Sequence, residues 1–531
     1  MKRPIRFFNT TGPCNPDDHY MLPPAERLQG AQLHRYVKDN LYWSLHAPRQ
    51  TGKTTFLQSW MKELNASGNV VAYYVSVERC QGITEIADVM PTICDAIQSS
   101  TEETGLPIPK IQSTASSNPA SFLYSILADW SAKVAPKPLV VLFDEVDVLE
   151  GSAMVSFLRQ LRSGFATRGV GKFPTSLALV GMRDLKDYLT AAKDGKAVNP
   201  GSPFNIKEDS VTIGNFSQEN VAQLFAQRTE ETGQQISSEA LDYVWEQSKG
   251  QPWIVNSLFK RATMRILDYE DYTTVTLEHL EQAREQMILA RETHLDSLAY
   301  RLENPKIRSI METLLTGQID MNLSPNDAFR QCVDLGLVTF DNDEITIANP
   351  IYREVLAREI SYGAQIMLPP PTFRWQNPDG TLDMDSLLKE FQAFWQENSE
   401  IWEEKSDYTE AFPHLLLMAF LQRITNGEGH IEREYAAGRG RMDMAVEFHG
   451  QWNIIEVKLL RNKRTPEKVK GEGLVQIKKY RDTFSSSRLT KDSEPIPCYL
   501  LIFDRRSADK QLPWAERITW NAEDEVTVVG C

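Results

Sequence analysis

At 531 residues the chain exceeds what one hydrophobic core accommodates, and a length of about 150 residues per domain gives three or four cores in series. With 41% hydrophobic and 24% charged residues, and no apolar run near the roughly 20 residues that span a bilayer, the composition excludes a disordered or membrane-spanning chain. The net charge of -15 argues against a surface coated for general nucleic-acid binding and leaves room for a local basic site.

The N-terminal MKRPIRFFNTTGPCNP lacks the continuous apolar stretch of a signal peptide. Cys14, Cys80, Cys94, Cys332, Cys498 and Cys531 are scattered, with no C-x-x-C pair. Reduced, mostly structural cysteines, a cytoplasmic location and no membrane partner are therefore expected.

Residues 41 to 181 alternate apolar runs (LYWSLH, NVVAYYVSV, PLVVLF, SLALVG) with helical patterns, which predicts a parallel sheet covered on both faces. Between the first run and a helix starting near Thr54 stands HAPRQTGKTT, residues 46 to 55. A phosphate loop needs backbone N–H groups at a helix N-terminus, a lysine for the β/γ oxygens and a hydroxyl for Mg²⁺. Gly52, Lys53 and Thr54 supply these parts, and Gln50, Thr51 and Thr55 complete the candidate nucleotide-binding stretch. Where a first glycine is usual the chain has Ala47, the mildest departure, since one methyl must be accommodated.

LVVLFDE, residues 139 to 145, reads as a buried strand ending in two carboxylates. Asp144 is the candidate Mg²⁺ ligand with Thr54, and Glu145 the candidate general base, which points to ATP hydrolysis beyond mere binding. The strand ending at Gly181 should lie between the two motif strands and bring Arg183 to the γ-phosphate. Arg159, Arg162 and Arg168, on and after the helix that follows, stand where a finger could reach a neighbouring subunit's ATP; the ordinary surface role is weighed ahead of it, and the trans-acting role is left open.

From Ser217 the pattern becomes helical, with a break at Lys249-Gly-Gln-Pro252. The helical segments IRSIMETLLTG and NDAFRQCVDLG then lead into a hairpin signal around Asp341-Asn-Asp343, which predicts a winged helix. Its acidic Asp341, Asp343 and Glu344 favour a spacer or protein-contact module over a DNA reader. Met367-Leu-Pro-Pro-Pro-Thr372 reads as a stiff linker. The expected organisation is a P-loop core over 1–215, a helical lid over 216–294, a winged helix over 295–366, a linker over 367–381 and a last domain over 382–531.

In that last domain GRGRMDMAVEFHG and QWNIIEVK alternate like strands about a turn at His449-Gly450. Glu456 and Lys458 are two apart and share one sheet face, which Asp443 on the partner strand can reach. Carboxylates that hold Mg²⁺, with a lysine that steadies the nucleophile or developing charge, form a phosphodiesterase kit. Glu410 could add a carboxylate from a helix, and Gln476 and Tyr480 lie four apart on one helix face. From Lys458 to Arg481 nine Lys/Arg stand against Glu467 and Glu472, a net of +7, which phosphate contact explains better than solvation does.

HAPRQTGKTT, VVLFDEVD, Gly250-Gln-Pro-Trp253 and Asn349-Pro-Ile-Tyr352 together resemble the AAA-like ATPases of the prokaryotic STAND-related group, over roughly residues 15 to 360. That resemblance implies an ASCE-type sheet, ATP or GTP as ligand, and a nucleotide-dependent change of conformation or assembly, which allows for a homo-oligomer. G-R-G-R-x-D, E-V-K and Q-x-x-x-Y in order resemble the PD-(D/E)xK nuclease superfamily, particularly its branch fused to AAA-like ATPases. This implies Asp443 and Glu456 as Mg²⁺ or Mn²⁺ ligands, Lys458 as catalytic lysine, Glu410 as the helix carboxylate, and Gln476 and Tyr480 as accessory residues. The expected fold class is thus multidomain α/β. The leading expectation is an ATP-regulated, Mg²⁺-dependent nuclease acting on DNA held at the basic segment 458–481, in a setting of defence against foreign DNA. The alternative is a STAND-like signalling or scaffold switch whose nuclease fold only binds nucleic acid or a partner.

Overall fold

The computed structural model describes residues 6–29, 32–102, 118–182, 206–290, 292–315, 327–341, 344–367, 375–404, 412–425, 429–433, 436–437, 440–441, 444–462, 464–488, 496–506, 511–517, 521–523 and 525–531. The chain divides into two compact units, Met1–His294 with Asp327–Ile351, and Leu295–Asn326 with Tyr352–Cys531. The division runs through the stretch 295–366 that the sequence suggests as one winged-helix domain. The reason is local: Gly336, at the foot of the hairpin, lies against Pro48 of the phosphate loop, so close that a Cβ there would stand 2.7 Å from the proline ring.

In the first unit β1 (Leu28–Gln29), β2 (Tyr42–His46), β3 (Val71–Ser76), β4 (Leu139–Asp144), β5 (Ser176–Gly181) and β6 (Lys207–Ile213) form one sheet in the order β1-β6-β2-β5-β4-β3. All neighbours are parallel except β1, which pairs antiparallel with β6. β5 does lie between the two motif strands. Helices α1 (Leu33–Lys38), α2 (Lys53–Ala66), α3 (Ile86–Glu102), α4 (Pro119–Val134) and α5 (Gly151–Phe165) connect the strands.

The unbroken apolar runs follow from burial on both sides. Leu139, Val141 and Phe143 of β4 join one core with Ile93, Leu127, Trp130 and Phe157, while Val140 and Leu142 join the other with Trp43, Phe56, Leu57 and Trp60. Side chains alternate with period two, so a strand between two helical layers has no face left for polar residues.

After the sheet come α6 (Gln218–Thr232), α7 (Ser238–Ser248), α8 (Pro252–Lys260) and α9 (Leu277–Leu289). A reciprocal cap starts α6, with Ser217 Oγ accepting from Asn220 N and Asn220 Oδ1 from Ser217 N, both at 3.1 Å. The break between α7 and α8 has a backbone cause. Lys249 and Gly250 stand at φ of 46° and 73°, and a Cβ on Gly250 would sit 2.0 Å from Phe216 O, so glycine is required there. Gln251 Oε1 then caps α8 by accepting from Ile254 N at 2.7 Å.

Next come α10 (Thr293–Arg301), α11 (Pro305–Leu315), α12 (Asp327–Asp334), the hairpin of β7 (Val338–Asp341) and β8 (Glu344–Ile347), and α13 (Pro350–Met367). Of the expected linker, residues 368–374 lie outside the described residues. The C-terminal fold reaches back to Trp375, earlier than residue 382, because Trp375 Nε1 donates to Glu390 Oε2 at 2.8 Å and Gln376 bridges Leu382.

The second unit contains α14 (Met384–Glu404), α15 (Phe412–Thr425), β9 (Gly429–Arg433), a two-residue ladder of β10 (Ala436–Ala437) with β11 (Gly440–Arg441), β12 (Met444–Phe448), β13 (Gln451–Leu460), α16 (Pro466–Arg488), β14 (Cys498–Asp504), β15 (Asn521–Glu523) and β16 (Val526–Gly530). Its main sheet runs β15-β16-β14-β13-β12-β9, with β13, β14 and β16 parallel and β12 antiparallel to β13. Leu474, Ile477 and Tyr480 of α16 pack with Ile454, Cys498 and Leu500 on one face. Elsewhere in the unit Phe391 and Trp395 of α14 meet the Phe503 ring, at 6.1 and 4.8 Å between centroids. Among the described residues no helix is long and apolar enough to cross a membrane.

Candidate nucleotide and nuclease sites

The phosphate loop joins β2 to α2, so its backbone N–H groups gather at a helix N-terminus, where the helix dipole favours anions. Gly52 stands at φ 96° and Gln50 at φ 57°, the left-handed turns that fold the loop back on itself. Thr51 Oγ1 closes it by donating to Pro48 O at 2.9 Å, and Lys53 Nζ donates to Ala47 O and Pro48 O at 2.9 and 3.0 Å. Ala47 is 3% exposed, has no positive φ, and joins the core containing Leu45, Phe56 and Val180. The methyl therefore faces packing, and the irregular residue of the motif costs the loop nothing in conformation. Thr55 Oγ1 points to the N-terminal segment and accepts from Cys14 N at 3.0 Å.

Asp144 ends β4 fully buried, and its Oδ2 accepts from Thr54 Oγ1 at 2.7 Å and from Tyr74 OH at 3.1 Å. Its Oδ1 accepts from Glu145 N at 3.0 Å. Burial pushes the Asp144 carboxyl up against these donors and pushes the Lys53 ammonium down. Burial, then Asp144 and Asp147, raise Glu145 to about 7. Glu145 also holds the left-handed conformation at φ 57°, a strained state of the kind that collects at functional sites. A hydroxyl and a carboxylate 2.7 Å apart are the hard oxygen donors that Mg²⁺ prefers, so the residues fit that ion.

A cavity of about 370 Å³ opens beside the loop, the size of a small-ligand pocket. Gln50, Gly52, Lys53, Thr54, Thr55 and Glu145 line one part of it, while Thr51 and Asp144 are not on its wall. The rest is walled by Trp253 of the Gly250-Gln-Pro-Trp253 segment and by residues that no motif marks, among them Asn9, Tyr20, Arg27, Phe216 and Asn256. Trp253 Nε1 donates to Thr10 O at 3.0 Å, which pins the N-terminal segment to α8. Arg183 lies outside the described residues. Arg168 is engaged locally, its Nε donating to Asn40 O at 2.9 Å and its guanidinium 3.7 Å from the Phe165 ring centre.

In the second unit the period of β13 places Glu456 and Lys458 on the face covered by α16. Lys458 Nζ donates to Glu456 Oε1 at 2.6 Å and to Gln476 Oε1 at 2.8 Å, and Gln476 Nε2 donates to Tyr480 OH at 2.7 Å. Glu456 is fully buried and Lys458 partly so, with 19% of its side chain exposed, so the carboxylate depends on the ammonium and loss of the lysine leaves a buried charge unpaired. The β12–β13 ladder ends at Met444↔Ile455, and Asp443 and Glu410 lie outside the described residues. Among the described residues no group of three or more His, Cys, Asp or Glu is placed to hold a metal. The Glu456 carboxylate has the donor chemistry that Mg²⁺ or Mn²⁺ takes. Part of the basic segment is neutralised, with Arg464 paired to Glu472 and Arg481 Nη1 2.9 Å from Glu525 Oε2.

A family model described as an AAA-like domain matches residues 26–358, and one described as the PD-(D/E)XK nuclease superfamily matches residues 408–510. No curated protein matches the chain. Among solved structures the chain is similar to a Walker-type ATPase of Pyrococcus abyssi, with 14% identity over 61% of this chain and 93% of that one and a TM-score of 0.44. It is also similar to the RuvB Holliday junction branch migration motor of Thermotoga maritima (13% identity, 61% and 90% covered, TM-score 0.32). A third is Cdc6p from Pyrobaculum aerophilum (13% identity, 61% and 88% covered, TM-score 0.33).

Proposed function

Because the chain belongs to the AAA-like domain family and carries a PD-(D/E)XK nuclease domain behind it, we propose that it is an ATP-regulated, divalent-metal-dependent nuclease acting on DNA. The observation that carries the nuclease half is the chain of hydrogen bonds Glu456–Lys458–Gln476–Tyr480, which holds the lysine ammonium against a buried carboxylate. A packing role alone has no use for a buried carboxylate, an ammonium and an amide aligned in this way.

At the nucleotide site the Gly52–Thr55 backbone at the start of α2 receives the phosphates. Lys53, now donating to two neutral carbonyls, exchanges them for charged phosphate oxygens, which are stronger acceptors. Thr54 and Asp144 would hold Mg²⁺, and Glu145 orients the attacking water and takes its proton. Arg183, next after Met182 beyond β5, is assigned to the γ-phosphate. At the nuclease site Glu456, with Asp443 and Glu410, would hold Mg²⁺ or Mn²⁺. When bound, such an ion would polarise the phosphodiester and lower the pKa of a coordinated water. Lys458 steadies the charge that develops in the reaction, and Gln476 and Tyr480 fix the direction of its ammonium.

The basic residues of 458–481 receive the nucleic-acid backbone. Residues 295–366 act as a winged-helix relay, copies of the chain assemble on ATP, and the biological role is cytoplasmic defence against foreign DNA. The test is cleavage of single- and double-stranded DNA and RNA with Mg²⁺ or Mn²⁺, under ATP, a non-hydrolysable analogue or no nucleotide. Cleavage that depends on Lys458 and responds to nucleotide supports the reading. Absence of cleavage on every substrate, with Lys458→Ala and wild type alike, sinks it in favour of a scaffold switch.

A further inference from the structure

The nucleotide cavity holds an arginine that belongs to no motif. Arg27 ends a short helical turn, Pro24–Arg27, just before β1. Its Nη1 donates to Thr51 O at 2.8 Å and to Gly214 O at 2.9 Å, and its guanidinium lies 4.8 Å from the Phe216 ring centre. The backbone repeats the link, since Gly214 N donates to Arg27 O at 2.9 Å. Its Nε is buried with no hydrogen-bond partner, and burial holds the guanidinium down at about 10. A cation kept under such conditions is costly, so what it fixes in place is informative.

On one side Arg27 fixes the phosphate loop. In a trans peptide the C=O and N–H point opposite ways, so drawing the Thr51 carbonyl to Arg27 turns the Gly52 N–H to the other side of the loop. Gly52 suits glycine because its φ is 96°, and a Cβ there would also stand 2.8 Å from Arg27 Nη2. On the other side Gly214 and Phe216 are where the sheet ends and α6 is about to begin. Phe216 N donates to Gly250 O at 2.8 Å, and Gly250 precedes the cap of α8. A continuous line of contacts therefore runs from Thr51 through Arg27 to Gly214, Phe216 and Gly250.

We infer that Arg27 is a positioning residue that ties the phosphate loop to the seam where the helical region joins the sheet, so that nucleotide at the loop is felt at residues 214–217 and 249–252. The inference rests on the nucleotide-site reading above. A guanidinium suits the task because its plane serves two carbonyls and a ring face at once, whereas an ammonium offers donors but no plane.

The test uses full-length wild type, Arg27→Met and Arg27→Lys, with Mg-ATP affinity by calorimetry, steady-state hydrolysis, and hydrogen exchange with and without ATP. In the wild type ATP should slow exchange at 214–217 and 249–251. In Arg27→Met the ATP dissociation constant should rise about tenfold, and saturating ATP should leave exchange at the seam unchanged. Arg27→Lys should recover part of the affinity without the seam response, a split that a merely structural role does not produce. Should Arg27→Met fail to fold, Arg27→Lys carries the test. A folded variant with wild-type affinity and a wild-type seam response overturns the inference alone. Wild-type protein that binds no ATP overturns the site reading and the inference with it.

Discussion

Thr54 and Asp144, ninety residues apart in sequence, meet through a hydroxyl that donates to the carboxylate at 2.7 Å. Tyr74 OH reaches the same oxygen at 3.1 Å from β3, the strand paired with β4. The acid is thus held by two hydroxyls, one at the loop and one across the sheet.

Tyr74→Phe removes one donor from a buried carboxylate. A hydrogen bond to a charged group contributes about 1.5–3 kcal/mol, so thermal unfolding should report a loss of that order. The Mg²⁺ concentration needed for half-maximal hydrolysis should rise as well. An unchanged melting curve and an unchanged Mg²⁺ dependence would show that the tyrosine plays no part in holding Asp144.

Glu145→Gln keeps the shape and removes the base. ATP affinity should stay within about twofold while kcat falls by about 10²–10⁴, as phosphate release assays would read. If hydrolysis survives at the wild-type rate, the base lies elsewhere.

Ala47→Gly restores the usual motif residue and should nevertheless gain nothing. Because the methyl is buried in the core and the backbone there has no positive φ, the substitution removes packing and adds unfolded-chain entropy. We expect a destabilisation of about 0.5–1 kcal/mol and an unchanged ATP dissociation constant. A tighter complex in the glycine variant would contradict this account of the loop.

Lys458→Ala strands the fully buried Glu456 carboxylate without its ammonium. Breaking such a pair costs about 3–5 kcal/mol, and denaturant titration should show it in the second unit. Nuclease activity should vanish with the lysine, and in wild type EDTA should abolish it and Mg²⁺ or Mn²⁺ restore it. Cleavage that persists in EDTA would remove the metal from the mechanism.

His294 packs against Trp253 with ring centroids 4.7 Å apart, and burial, aided by Arg49, pushes its pKa down to about 4. The unfolded imidazole, near 6.5, takes up its proton first as pH falls. Stability from this group is complete above 6.5 and is lost between 6.5 and 4. From pH 7.5 to 5.0 the wild type should lose about 2 kcal/mol more than His294→Gln. Equal losses in the two proteins would mean that the histidine is protonated in the folded state.

The sequence by itself determined whatever depends on spacing within one element. A two-residue interval set Glu456 and Lys458 on one strand face, a four-residue interval aligned Gln476 with Tyr480, and loop, lysine and hydroxyl came as one motif at a helix start. The unbroken apolar runs also implied a sheet covered on both sides. Only the tertiary structure decided what meets across elements. Arg27 reaches Gly214 across 187 positions, Trp253 reaches Thr10 across 243, and Tyr74 reaches Asp144 across 70. The hairpin likewise joined the first unit through Gly336 and Pro48, and the core at Ala47 absorbed a methyl that the motif alone marks as a flaw. The physical reason is that helix and strand periods fix directions relative to one local axis, whereas contacts between distant segments depend on strand order and packing. A residue such as Arg27 has its partners only once the chain has folded.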